Sequence, residues 1–124
     1  MAEAIRHMLK EELQYFVRGT LWIECESERF FGPGRVELLE RIEETGSIRK
    51  AAADMGMSYK KAWGMVTALN RQVQRPLVMV KAGGEKGGGS VITDEARELI
   101  RVHNLLRERF LAFLDKETLN LKSE

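Results

Sequence analysis

The sequence predicts a mainly α fold with one small β hairpin. Three observations predict it. Apolar residues return at helical spacing in five stretches. A tip of eight residues holding five glycines, "GGEKGGGS", joins two short β-like stretches. Serine or threonine stands ahead of three of the helical stretches, and glycine closes two of them.

The first helical stretch is Ala4–Phe16, with Ile5, Met8, Leu9, Leu13 and Phe16 on one face. In "TLWIECESERFFG" the period changes. Leu21, Ile23 and Cys25 alternate with Trp22, Glu24 and Glu26, a strand with one face buried, which "GPGR" breaks. Val36, Leu38, Leu39 and Ile42 then form a helical stripe that Gly46 can stop. Ser47 can cap a helix whose inner residues are Ile48, Ala51, Ala52 and Met55, closed by Gly56. Ser58 can cap a third, running to about Val73 with Ala62, Val66, Leu69 and Val73 inward, and Pro76 keeps it from continuing. "LVMVKA" and "SVIT" read as the hairpin strands. Thr93, followed by Asp94 and Glu95, opens a long final helix carrying Ala96, Leu99, Ile100, His103, Leu106, Phe110, Phe113 and Leu114.

Three helices followed by a hairpin make a winged helix-turn-helix. The expected organisation is one domain over residues 1–124: an N-terminal helix at 1–18, a winged core at 19–93, a dimerisation helix at 94–116 and a tail at 117–124.

Composition narrows the function. The chain has 124 residues, 44% hydrophobic and 31% charged, in keeping with a water-soluble domain that buries its own core. No apolar run approaches the roughly 20 residues of a membrane span. The start mixes acids and bases and is not expected to be a signal peptide. The single cysteine, Cys25, allows no internal disulfide and no zinc cluster by itself, and a reducing cytoplasm fits it. His7 and His103 have no spaced partners, so no metal and no cofactor is expected.

The net charge of +1 hides an uneven distribution. Residues 47–90 hold eight bases and two acids, while both flanking parts are net negative. Such a local basic field suggests an anionic partner meeting one face, with double-stranded DNA the expected one.

The basic stretch coincides with "SIRKAAADMGMSYKKAW". In a helix-turn-helix the turn needs a residue free to take positive φ, which Gly56 supplies, and the small Ala52 lets the helices cross closely. The second helix then aims its N-terminal end at a major groove. Its outer face offers Ser58, Lys60, Lys61, Gly64 and Thr67, with Asn70 and Arg71 further along. Ser47, Arg49 and Lys50 suit phosphates. Lys81 and Lys86 flank the wing glycines, of which Gly87 and Gly88 can lie close against a surface. Trp63, by its helical phase, is expected at the core or its edge rather than on a base. Tyr59 can pack its ring while its hydroxyl reaches a phosphate.

These residues also resemble a family. "TGSIRKAAADMGMSYKKAW", then "PLV", then "GGEKGGGSVIT" are similar to the N-terminal DNA-binding domain of the molybdate-responsive ModE-type regulators, with LysR-type winged helices as more distant relatives. The similarity covers about Thr20 to Leu114. It implies a dimeric transcription factor, with Ser58, Tyr59, Lys60 and Lys61 at the recognition helix and Lys86, Gly87, Gly88 and Gly89 at the wing. Regulators of that kind continue into molybdate-binding domains. This chain stops at Glu124, so no such domain is expected in it and molybdate sensing is not carried over.

Other features point to no chemistry. The glycine loop lacks a "GK[ST]" ending and joins strands, so it is no phosphate-binding loop. Glu24, Glu26 and Glu28 read as a solvated edge rather than catalytic carboxylates. No nucleophile–base pair stands out, and no enzyme and no catalytic residue is expected. The final helix has a wide apolar face, with Leu105 and Leu111 added to its stripe. That breadth predicts a homodimer formed through the first and last helices. The expectation is thus a homodimeric, sequence-specific transcription regulator on an inverted-repeat operator. The alternatives are a winged module that binds protein, or a regulator answering to a thiol or small-molecule signal through Cys25.

Overall fold

A computed structural model describes residues 4–81 and 89–123. The chain forms two compact units, residues 22–103 and residues 1–21 with 104–124. The expected wing residues Lys86, Gly87 and Gly88 lie outside the described residues.

The unit of residues 22–103 opens on a hairpin of β1 (Ile23–Cys25) and β2 (Glu28–Phe31). The strands are antiparallel, with Ile23 opposite Phe31 and Cys25 opposite Glu28, and an irregularity between Ile23 and Glu24. The turn is made by Glu26 and Ser27, both at positive φ. The sequence had predicted one strand here. A second was hidden because neither turn residue is the glycine or asparagine that usually announces left-handed backbone.

Helix α1 (Pro33–Thr45) begins with proline in its first turn, where no N–H is missed. It buries Val36, Leu38, Leu39 and Ile42. It ends at Gly46, whose φ of 70° is left-handed and whose N–H bonds the Ile42 carbonyl at 2.8 Å. Helix α2 (Ile48–Asp54) is capped by Ser47, whose Oγ accepts the Lys50 N–H at 3.1 Å. It turns Ile48, Ala51 and Ala52 into the core. Gly56, at φ 68°, lets the chain reverse, and the Met57 N–H closes the turn on the Ala52 carbonyl at 3.0 Å. Helix α3 (Tyr59–Arg71) follows at once, buries Ala62, Val66 and Leu69, and stops two residues short of the expected Val73.

The second hairpin pairs β3 (Val78–Val80) with β4 (Ser90–Ile92), Val78 opposite Ile92 and Val80 opposite Ser90. Thr93 then links β3 to the last helix, α4 (Asp94–Asn120). Its N–H donates to the Leu77 carbonyl at 3.0 Å and its Oγ1 accepts the Ala96 N–H at 3.2 Å. The core of this unit is built on Phe31, Leu38, Leu39, Ile42 and Leu69, all fully buried. His103 is buried beside them, edge-on to the Phe31 ring at 5.4 Å. Arg35 ties the ends of β2 and α3 together. Its Nη1 donates to the carbonyls of Arg29 (3.1 Å) and Phe30 (2.7 Å) and to Gln72 Oε1 (3.3 Å). Partial burial, with Arg71 nearby, holds this guanidinium below the ordinary arginine value.

In the other unit the expected N-terminal helix is absent. Residues 4–21 hold one 3₁₀ turn, Arg6–Met8, and otherwise run without regular structure. The reason is where the backbone finds its partners. The Ile5 N–H bonds the Leu121 carbonyl (2.9 Å), the Val17 N–H bonds Thr118 Oγ1 (2.8 Å), and Lys122 Nζ donates to the carbonyls of Lys10 (3.4 Å) and Leu13 (3.0 Å). The segment is a strap laid on the end of α4. It lies close: a Cβ added to Gly19 would sit 3.1 Å from the Phe110 ring. Helix α4 continues to Asn120, beyond the expected end at 116, and takes up half of the expected tail.

Candidate nucleic-acid interface

The turn at Gly56 leaves the N-terminal end of α3 projecting, with its first free N–H groups served by a serine cap: Ser58 Oγ accepts the Lys61 N–H at 3.0 Å. Ser58, Tyr59, Lys60, Lys61, Gly64 and Thr67 are all exposed, as sequence spacing predicts. Arg49 and Lys50 of α2 are exposed too. The Arg49 guanidinium lies 4.1 Å from the centre of the Tyr59 ring, so α2 contributes a cation at the mouth of α3.

The wing base is fastened to the same place. The Ser90 N–H bonds the Gly46 carbonyl at 2.8 Å, joining β4 to the turn between α1 and α2. The Lys81 N–H bonds the Gly89 carbonyl at 2.7 Å, which continues the hairpin ladder outward with Lys81 exposed. An open depression of about 230 Å³ lies between α3 and the wing, bordered by Ser47, Arg49, Tyr59, Trp63, Val80 and Gly89.

Not every predicted basic residue joins this set. Arg71 sits at the far end of α3, and 13 helical residues span roughly 20 Å. There it pairs with Glu28 of β2 at 3.2 Å. Arg75 pairs with Glu95 at 3.4 Å. Asp54, one of the two acids of the basic stretch, pairs with Arg41 at 3.9 Å. The field therefore resolves, among the described residues, into Arg49, Lys50, Lys60, Lys61 and Lys81.

Two side chains differ from their sequence reading. Trp63 was expected in or beside the core and is 44% exposed. Its phase lies on the boundary of the buried stripe, and the side of α3 it occupies opens onto the depression instead of being roofed by the hairpin. Its ring is 6.3 Å from that of Tyr59. Asn70, expected further along the outer face, is partly buried. Its Oδ1 accepts the N–H groups of Leu77 (2.8 Å) and Val78 (3.3 Å), and its Nδ2 donates to the Val78 carbonyl (3.0 Å). A lone asparagine near a helix end, seven residues before a strand, was the available signal for such a clamp.

Gly64 is placed differently from the turn glycines. It stands inside α3, yet apart from its chain neighbours and the helix's own backbone no described atom lies within 4 Å of a Cβ built on it. Packing within the chain does not require a glycine there, although glycine weakens a helix interior. Cys25 is partly buried on β1. Among the described residues no group of three or more His, Cys, Asp and Glu side chains could hold a metal ion, and no helix is long and apolar enough to cross a membrane.

Comparison with known proteins agrees with this geometry. Residues 34–97 match the profile of the bacterial regulatory helix-turn-helix proteins of the LysR family. The chain is 37% identical over 106 residues to the transcriptional regulator ModE of Haemophilus influenzae, covering 83% of this chain and 42% of that protein. It is 35% identical over 107 residues to the DNA-binding transcriptional dual regulator ModE of Escherichia coli K12, covering 83% and 41%. With the molybdenum transport protein ModE of Azotobacter vinelandii it shares 40% identity over 82 residues, covering 66% and 30%. The chain thus spans at most about two fifths of the length of these relatives. The matched segment runs from α1 to the first turn of α4 and contains the whole Gly56-hinged helix pair, so the chain belongs to the LysR-type family of bacterial regulatory helix-turn-helix proteins, and over this part it is similar to the ModE regulators.

Proposed function

We propose that this chain binds double-stranded DNA as a sequence-specific transcription regulator, with the N-terminal half of α3 in the major groove. The observation that carries the reading is the projecting, serine-capped end of α3, where Tyr59, Lys60 and Lys61 stand beside Arg49 and Lys50. Among the described residues no salt bridge engages these four cations or Lys81. A duplex would supply the missing anions. Lys60, Lys61, Ser58 and Thr67 are the base-edge candidates, and Ser47, Lys50, Lys81 and the wing residues Lys86, Gly87 and Gly88 the backbone contacts. Arg71 contributes only by leaving Glu28.

A homodimer on an inverted repeat goes with this reading. Its support is the apolar exposure in the unit of residues 1–21 and 104–124: Leu13, Phe16, Leu111, Phe113 and Leu119 are all at least 40% exposed. A second copy of the chain fits that face, with α4 and the strap in place of the expected first helix. Half-sites would then fall about 34 Å apart or at a multiple of it. Regulation of transcription also carries a cytoplasmic location.

The test is a mobility-shift titration against duplexes selected from random DNA. Wild-type protein should retain a sequence, and log affinity should fall linearly with log salt. Lys60→Ala with Lys61→Ala should weaken binding and shallow that slope. Equal binding by the double variant, or affinity indifferent to salt, would turn the reading towards a module that binds protein.

A further inference from the structure

Resting on that DNA-binding reading, we propose that Trp63 is a specificity-determining residue: its indole, with Tyr59 and Val80, forms an apolar seat for the 5-methyl group of a thymine.

The seat is built from exposed groups. Trp63 is 44% exposed, Tyr59 39% and Val80 60%. All three border the depression between α3 and the wing. The two rings are tilted by 39° with centroids 6.3 Å apart, one helical turn from each other, which leaves a concave apolar step rather than a flat stack. Arg49 covers part of Tyr59 from the α2 side and leaves Trp63 on the open side.

Charge selects the occupant. Arg49 borders the depression, and Lys60 and Lys61 in the first turn of α3 and Lys81 at the wing base are exposed as well. A protein partner with a plain apolar patch would have to bring acids to match that rim. A duplex brings phosphates along the rim and base edges between them. In the major groove the thymine 5-methyl is the one apolar group a base edge presents, and apolar side chains read it. Trp63 lies in the second turn of α3, within the part of a recognition helix that reaches base edges. Gly64 beside it adds no side chain that would hold the groove floor away.

The experiment starts from the strongest duplex that wild-type protein selects from random DNA. Each thymine is replaced singly by deoxyuridine, which removes only the methyl, and affinities are measured by mobility shift for wild type, Trp63→Ala and Trp63→Phe. Wild type should lose about fourfold at one thymine of each half-site, the amount expected for one buried methyl-sized group. Trp63→Ala should bind the thymine and deoxyuridine duplexes equally, and Trp63→Phe should keep part of the difference. If wild type binds its duplex but ignores every thymine replacement, the proposal fails while the DNA-binding reading stands. It fails equally if Trp63→Ala keeps the full deoxyuridine effect and loses affinity for every sequence alike, because Trp63 then only supports α3. If wild type retains no duplex at all, both readings fall.

Discussion

The Ser90 N–H donates to the Gly46 carbonyl across 2.8 Å, and this backbone bond fixes the wing to the turn between α1 and α2. Gly46 is thus used twice: its left-handed φ ends α1, and its carbonyl receives β4. The approach is close enough to forbid a side chain next door. A Cβ on Gly89 would lie 2.9 Å from the Gly46 oxygen, and the obstruction is backbone, which cannot swing aside.

Gly89→Ala is therefore expected to push the wing base off the turn. Forcing such overlap costs about 1–3 kcal/mol. Urea unfolding should show that loss. Mobility shift should show weaker DNA binding as well, since Lys81, bonded to Gly89, moves with β4. Unchanged stability would mean that the hairpin slides without strain and that the bond to Gly46 does not position it.

The contact between Arg49 and Tyr59 makes the second prediction. A guanidinium 4.1 Å from an exposed ring is worth about 0.5–1 kcal/mol. A double-mutant cycle of Arg49→Gln and Tyr59→Leu, followed by urea unfolding, should return a coupling of that size. Tyr59→Phe keeps the ring and should leave most of it. Coupling near zero would show that Arg49 is held by the depression and not by the ring.

Gly64→Ala should separate stability from function. Alanine in a helix interior is favoured over glycine by about 0.5–1 kcal/mol, and no described atom opposes the added methyl. The variant should unfold at higher urea. If the bare patch at Gly64 admits the edge of a duplex, the same variant should bind DNA more weakly. A variant that is more stable and binds equally well would remove Gly64 from the interface.

Much of this arrangement was legible because it depends on local chemistry. Ser47 and Ser58 cap helices since their hydroxyls take N–H groups three residues on, and Gly46 and Gly56 turn the chain since only glycine adopts that backbone cheaply. What was not legible depends on distant partners. Ala4–Phe16 has helical spacing, but Leu121 and Lys122 just beyond α4, more than 100 residues later, take its backbone bonds instead. The turn at Glu26 and Ser27 carries no residue that signals it. Trp63 sits at the edge of the buried stripe, so its phase pointed to the core or its edge, and the side it occupies opens onto the depression. Arg71 looked like a groove cation until β2 supplied Glu28.

Asn70 joins the recognition helix to the wing, and its three bonds can be taken apart chemically. Oδ1 receives two N–H groups from Leu77 and Val78, and Nδ2 gives one to the Val78 carbonyl. Asn70→Ala leaves those partly buried backbone groups unserved and should cost about 1–3 kcal/mol. Asn70→Asp keeps an acceptor for both N–H groups but turns a negative oxygen on the Val78 carbonyl, so it should recover only part of the loss. Hydrogen exchange should locate the damage, with the Leu77 and Val78 amides losing protection ahead of those in α1. DNA affinity should drop through the displaced wing. Because Lys60 and Lys61 lie on the exposed face two to three turns away, their share of the salt dependence should persist. Full protection of the Leu77 amide in Asn70→Ala would show that β3 is held by its strand partner alone and that the clamp is dispensable.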